Sequence, residues 1–459
     1  MTAVAVGPEA ADADADGGRP LWWRHPVAWY EADGRRFLPG VLFPLAVFVV
    51  WRVAHLLLVH HFISAQGVPN AWAGVGSVSE NYDGERYLMI LGQGYAAPGA
   101  DMPNTAFFPM ISWASAPVYW VNRSTPWTVH IMATITAIGA FIGVWGVAKV
   151  WRGEFIARRA VLLLALSPAS LFLWAFYSEG LFILLGTGIV WADRRGHRGL
   201  AAALCVPMAA TRSVGVLVPL VMVLVHVIEH GPPLRDELRR WWGPVVAGVA
   251  ALSVVVFSIT VQVRYLAPGL AAVALWAVLR RRIDRWSWLY LGASAVGVAA
   301  VCIVMWKQAG DPLAWLKVQE DWGRGLDQPW KAVIQGFENL WPDADTIRVP
   351  ALVARNLDIW SVFLVAFPVA YAGLSRRDRF PMETWMLGIM LIALPLYSSV
   401  LASFNRFALA DWVIYPVYGS FLTRIPKPWR TIPWAALCAG SAVATWQMVE
   451  RFSADRFVG

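Results

Sequence analysis

The stretch GLAAALCVPMAATRSVGVLVPLVMVLVHVI, residues 199–228, decides how this chain is threaded. It is apolar from end to end except around Pro207 and Thr211-Arg212-Ser213. Read as one helix it carries the chain from one side of a bilayer to the other. Read as two short helices it returns the chain to the side it left. The flanking loops, Asp193–Arg198 and Glu229–Arg240, are both basic. Basic loops gather on one side of a membrane protein, so two helices are expected.

The same rule organises the rest of the chain. The N-terminal segment holds Arg19, Arg24, Arg35 and Arg36, and basic clusters then begin at Lys149, Arg194, Arg235, Arg280, Arg376 and Arg424. These seven regions contain 24 of the 38 Lys and Arg residues, and with residues 199–228 read as two helices all of them fall on one side. That side is expected to be cytoplasmic. The opposite side receives two long segments, about 63–126 and 307–357, and short turns near Ser178, Arg212, Arg264 and Asn405.

Composition supports a membrane reading. Hydrophobic residues make up 58% of the 459 residues and charged ones only 15%, too apolar for a soluble globular chain. Thirteen apolar runs are expected, at about 38–62, 127–148, 160–177, 180–192, 199–210, 214–228, 242–261, 264–279, 286–306, 358–374, 382–402, 408–423 and 431–449. Many of the 28 Trp lie near run ends, where an amphipathic ring suits the headgroup region. The fold expected is an all-α polytopic transmembrane bundle of about 11–13 spans. Residues 1–37 are expected to form a cytoplasmic tail and interfacial segment before a single domain, 38–459. The tail lacks a basic n-region followed by a cleavable apolar core, so no signal peptide is expected.

The net charge of +8 is dispersed between apolar runs and forms no patch, which argues against nucleic acid. Only 5 of the 38 basic residues are Lys, and with abundant Ala and Val this suggests a high-GC bacterial genome. Cys205, Cys302 and Cys438 lie far apart in apolar runs, so neither a redox pair nor a zinc site follows. His60-His61 reads as a polar helix end. Trp330, Val333, Ile334, Phe337, Leu340 and Trp341 recur at helical spacing among polar residues, the pattern of a helix lying in the interface plane.

The first outer segment carries Asn81-Tyr82-Asp83-Gly84-Glu85-Arg86-Tyr87, then Gly94-Tyr95 and Ala106-Phe107-Phe108-Pro109. A carboxylate held just outside a bundle is placed to act as a general base on an acceptor hydroxyl. A solvated acidic loop is the bland alternative. Glu85, two residues from Asp83, is a weak candidate partner in a metal site; a divalent cation is left open and no metal ligand is assigned. Arg212, between two apolar runs, needs a partner or a polar cavity, or else snorkels to the interface. Arg324 and Arg406 fall on the same outer side, as phosphate ligands or as loop-stabilising ion pairs. Glu179, at the outer end of a run, is a candidate for sugar hydroxyls, for assisting Asp83, or for pairing with Arg212.

These blocks resemble the PIG-V-like family of mannosyltransferases, in a bacterial, actinobacterial-looking branch. Tyr82-Asp83 with the following aromatic and Gly94-Tyr95 is similar to that family's first-loop motif. Ala106-Phe107-Phe108-Pro109, Ser167-Pro168-Ala169-Ser170 with Tyr177-Ser178-Glu179, and Thr211-Arg212-Ser213 look like its later blocks. Gly310-Asp311-Pro312-Leu313-Ala314-Trp315 with Gln319 and Trp322-Gly323-Arg324 looks like its bacterial branch. Tyr82 stands where the family has Trp, and Leu91-Gly92 interrupts its Ile-Ala pair.

The resemblance implies an inverting membrane glycosyltransferase of GT-C architecture in the plasma membrane, its site on the extracytoplasmic face. Asp83 would be the base, and Glu85, Tyr87, Glu179, Arg212, Arg324 and Arg406 would bind donor or acceptor. The implied partners are the bilayer, polyprenyl-phosphate-mannose as donor substrate and a glycolipid, lipoglycan or protein acceptor. No cofactor is certain, and no nucleotide is used. A flippase of lipid-linked sugars is the competing reading, although the two halves show no related repeats. A different lipid-phosphate sugar as donor is the other.

Overall fold

In the computed structural model the described residues are 35–96, 104–229, 242–279, 282–321, 325–338, 357–398, 401, 403–426 and 428–456. The chain divides into Met1–Phe43, whose described part is the start of the first helix, and Pro44–Gly459. The helices are α1 (Arg35–Ala65), α2 (Ala71–Val78), α3 (Asp83–Gln93), α4 (Met110–Asn122), α5 (Thr125–Arg152), α6 (Glu154–Leu166) and α7 (Leu171–Trp174). Then follow α8 (Ser178–Arg194), α9 (Arg198–Ala209), α10 (Leu217–Glu229), α11 (Trp242–Thr260), α12 (Ala267–Leu279) and α13 (Arg285–Ala309). The last are α14 (Ala314–Asp321), α15 (Pro329–Glu338), α16 (Leu357–Leu374), α17 (Met382–Leu396), α18 (Phe404–Ala410), α19 (Ile414–Thr423) and α20 (Thr431–Ser453).

This is an all-α, multi-pass membrane protein. Among the described residues, Gly40–Ala65, α5, α13 and α16 are long and apolar enough to cross a bilayer singly. Several expected runs are broken instead. Residues 160–177 fall across α6 and the Pro168–Trp174 segment, which meet at 77°. The run at 408–423 is interrupted at Asp411, between α18 and α19. That at 382–402 leaves α-helix at Leu396, next to Pro395.

Residues 199–228 form two helices, as the charge pattern requires. Pro207 sits near the end of α9, where its carbonyl accepts the Thr211 hydroxyl at 2.7 Å and the Ala210 amide at 3.1 Å. Arg212 is then fully extended (φ −155°, ψ 159°) before the chain turns into α10. The return is tight, because a Cβ on Gly215 would strike the Met208 carbonyl.

The clearest ruler in the bundle is α8, 17 residues or roughly 25 Å long. It packs on α5 through small residues. A Cβ on Gly143 would run into the Thr187 side chain, and one on Gly180 would come within 2.9 Å of Thr136 Oγ1. Small residues let two backbones approach where lipid offers no hydrophobic drive for association. At one end of α8, Arg194 bonds Glu229 (3.0 Å) and Glu383 (2.5 Å), while its neighbour Asp193 meets His226 (3.0 Å) and Tyr290 (2.6 Å). Arg198 reaches Asp284 at 3.5 Å, and Arg152 and Arg424 share Asp378. Residues from several of the basic regions thus interlock in ion pairs. At the other end of α8 stands Glu179.

Candidate functional site

Asp83 is the first residue of α3 and follows Tyr82, a non-glycine residue at φ +58°. That conformation is uncommon and is held by its surroundings. The Phe176 amide donates to the Ser79 carbonyl (2.9 Å), the Tyr177 hydroxyl to the Asn81 carbonyl (3.2 Å), and Asn81 Nδ2 to the Phe452 carbonyl (3.1 Å). The turn before Asp83 is therefore tied both to the start of α8 and to the C-terminal helix. Gly84 fits because even a Cβ there would lie 3.1 Å from the Ser79 carbonyl.

Four expected site residues converge. Arg406, in the short α18, donates from Nη2 to Asp83 Oδ2 at 2.5 Å and from Nε to Glu179 Oε1 at 2.9 Å. Arg212 Nη1 lies 2.6 Å from the same Glu179 oxygen, a close ion pair outside hydrogen-bond angles. Two carboxylates and two guanidiniums from four separate segments thus form one electrically balanced cluster. Aromatic faces complete it: Tyr177 and Phe172 lie 4.7 and 5.2 Å from the Arg406 guanidinium carbon, and Phe407 lies 5.0 Å from that of Arg212. Cation–π contact is stronger where water is thin.

The members differ in what they face. Asp83, Arg212, Arg406 and Tyr87 line a cavity of about 840 Å³. Glu179 is fully buried and is not among the lining residues. It stands behind the arginines and holds both. Tyr87 is 3% exposed, and its hydroxyl meets Ser178 Oγ at 3.0 Å. Glu85 is exposed, away from the lining. Arg324 lies outside the described residues. Among those described, no group of three or more His, Cys, Asp or Glu is arranged to hold a metal ion.

The cavity is two-sided in chemistry. Besides the charged cluster, its lining includes Phe257, Val263, Leu266 and Leu326 from the α11–α12 hairpin and the second outer segment. It is also lined by Trp315 and Gln319 from α14, with Phe108 edge-on to Trp315 at 5.5 Å. The turn before α14 explains that placement. Asp311 accepts the Leu313 amide at 2.8 Å and pairs with Lys317 one turn into the helix. The hydrogen bond from Lys317 holds the Asp311 carboxyl below its ordinary range.

Residues 127–230 match the family model described as Mannosyltransferase (PIG-V). That segment runs from α5 through α10 and includes Glu179 and Arg212, while Asp83 and Arg406 lie outside it. No curated protein matches the sequence significantly. Among solved structures, the chain is similar to an oligosaccharyltransferase of Archaeoglobus fulgidus tethered to an acceptor peptide. The identity is 12% and the TM-score 0.43, over 93% of this chain and 56% of that one. The same enzyme in apo form gives 12% identity and a TM-score of 0.41, over 89% of this chain. With an inhibitory peptide and dolichol-phosphate it gives 11% and 0.40, also over 89%. The chain spans 56% of the length of each.

Chemically, the site offers a carboxylate able to accept a proton, two guanidiniums able to bind an oxyanion, and apolar side chains lining the same cavity. Sequence reasoning missed the aromatic faces on the arginines and Asp358, whose carboxylate accepts the Asn405 amide at 2.8 Å. In sequence Phe172 lies inside the apolar run at 160–177, Tyr177 belongs to the Tyr177-Ser178-Glu179 block and Phe407 borders the run at 408–423, and none of them announces a cation contact. In sequence Asp358 is simply the first residue of the apolar run at 358–374.

Proposed function

We propose that this protein is a membrane glycosyltransferase that moves mannose from a polyprenyl-phosphate carrier to a hydroxyl of a membrane acceptor on the extracytoplasmic face. The acceptor class is a glycolipid, a lipoglycan or a protein. The observation that carries this reading is the amphipathic cavity faced by Asp83, Arg212 and Arg406. The PIG-V family match across residues 127–230 supports the choice of a mannosyl donor.

Each group has a task in an inverting displacement. The acceptor oxygen attacks the anomeric carbon from the side opposite the phosphate and gives its proton to Asp83. The carbon–oxygen bond to phosphate breaks, and the electron pair leaves with the phosphate. Arg406 and Arg212 stabilise the negative charge that develops there, most strongly in the transition state. Glu179 stays behind them and fixes their positions. The apolar lining takes the first isoprene units of the carrier, which needs no aqueous path.

Purified protein in lipid nanodiscs, given labelled polyprenyl-phosphate-mannose and membrane glycolipids, should transfer the label. Asp83→Asn should lower kcat by about 10²–10⁴-fold, the range expected for a lost general base. Transfer by that variant at the parental rate would remove Asp83 from the mechanism. Flipping of the donor across liposomes without any transfer would sink the enzyme reading.

A further inference from the structure

Arg406 does its work from a helix of only seven residues, and something must fix where that helix begins. Its entry residue, Ser403, is in the left-handed region (φ +66°, ψ 19°), uncommon for a residue with a side chain. Ser403, Phe404, Asn405 and Arg406 are all at most 6% exposed. The Asp358 carboxylate, in the first turn of α16, lies against this turn. Its Oδ1 accepts the Asn405 amide at 2.8 Å, and the amides of Ser403 and Phe404 face the same group. A left-handed residue followed by right-handed ones turns successive N–H groups toward one point, an anion-binding concavity. Here the anion is a side chain of the protein itself.

The geometry points to Asp358 as a positioning residue for Arg406: by gathering the amides of Ser403–Asn405 it sets the start of α18 and aims the guanidinium at the cavity. This rests on reading Arg406 as a group that holds the donor phosphate. Among the described acids the Arg406 side chain is bound to Asp83 and Glu179, and both belong to other helices. If donor phosphate takes the place of Asp83, that half of the tether is lost. Glu179 still holds the guanidinium, and the Asp358 cradle holds the Arg406 backbone while the partner changes. An acid serving only the dipole of α16 would also sit in this first turn, but would have no effect on transfer.

The test uses the full chain in nanodiscs with Asp358→Asn and Asp358→Glu, three readouts being taken. Hydrogen exchange at residues 403–405 should be about tenfold faster in Asp358→Asn, while α19 keeps its protection. Its kcat for mannose transfer should fall about a hundredfold at a temperature where both proteins are folded, with affinity for polyprenyl phosphate reduced in parallel. Asp358→Glu, which keeps the carboxylate, should recover most of that loss. Parental kcat and affinity in Asp358→Asn overturn the assignment, as does unchanged exchange. Should the asparagine variant not assemble, Asp358→Glu decides alone: fast exchange with parental kcat overturns it, whereas slow exchange with near-parental kcat supports it. Failure of the donor reading shows in the parent, which then neither binds polyprenyl phosphate nor transfers mannose. Failure of the positioning role shows only in the variants of a competent parent.

Discussion

The guanidinium of Arg406 is bonded to the carboxylate of Asp83 at 2.5 Å, inside a cavity that both residues line. The group proposed to bind phosphate thus occupies the group proposed to take the proton. On the proposed reading, a phosphate that arrives at Arg406 competes with Asp83 and sets its carboxylate free, so that donor binding and base activation are one event.

That competition gives opposite effects on binding and on rate. Asp83→Asn removes the competing anion and should bind polyprenyl phosphate about three- to tenfold more tightly, equivalent to about 0.7–1.4 kcal/mol. Its turnover should nevertheless collapse. Calorimetric titration of the nanodisc-embedded variant checks this, and weaker binding than the parent would refute the competition.

Glu179 has the opposite profile. It is fully buried, holds both arginines through one oxygen, and does not line the cavity. Its removal leaves two cations in poorly solvated surroundings with one carboxylate between them. Breaking a buried pair in this way costs about 3–5 kcal/mol. Glu179→Ala should therefore lower thermal stability markedly, whereas Asp83→Asn should lower it less. A Glu179→Ala protein as stable as the parent would show that water, not Glu179, neutralises the arginines.

At the basic end, Asp378 makes stability depend on pH. Burial favours its neutral form, but hydrogen bonds from Arg424 and Tyr371 and the nearby Arg152 outweigh it and hold the carboxyl below its ordinary range. Its pKa is lower folded than unfolded, so the stabilisation is complete above about pH 4, the unfolded value. It disappears as pH falls through the folded value. Asp378→Asn should lower Tm at neutral pH, and the gap to the parent should close at acidic pH. A gap that stays constant from pH 7 to pH 3 would mean the ion pairs contribute nothing.

Sequence patterning reached the bundle because membrane helices are written in runs of apolar residues, and basic loops record which ends belong together. It brought Asp83, Glu179, Arg212 and Arg406 to one side, and the fold assembles those four into one cluster. It did not see α4, where Ser112, Ser115, Pro117 and Asn122 dilute the apolar signal. Nor did it find Asp358, because a first-turn acid looks the same whether it serves its own helix or a turn that follows 45 residues later in the chain. The separation of Glu85 from the cavity was equally hidden: one helix turn presents neighbouring acids to different surroundings, and only packing decides which is enclosed.

The arrangement along α8 can be tested without any substrate. Glu85 is exposed near the Asp83 cluster, and Arg195 is exposed beside the Arg194 network at the far end of α8. Of the three native cysteines, Cys205 is buried, Cys302 intermediate and Cys438 exposed, so all three are first replaced by Ala or Ser. In intact cells with a permeable outer envelope, a membrane-impermeant maleimide should label Glu85→Cys. It should label Arg195→Cys only after the plasma membrane is opened. The two-helix reading of residues 199–228 returns the chain to the side of Arg195, which a cysteine in place of Glu229 should confirm by sharing its protection. Labelling of Glu85→Cys and Arg195→Cys from the same side would break the link between the basic loops and the cytoplasm. The cavity would then open where no polyprenyl-phosphate sugar is consumed, and the donor would have to be sought again.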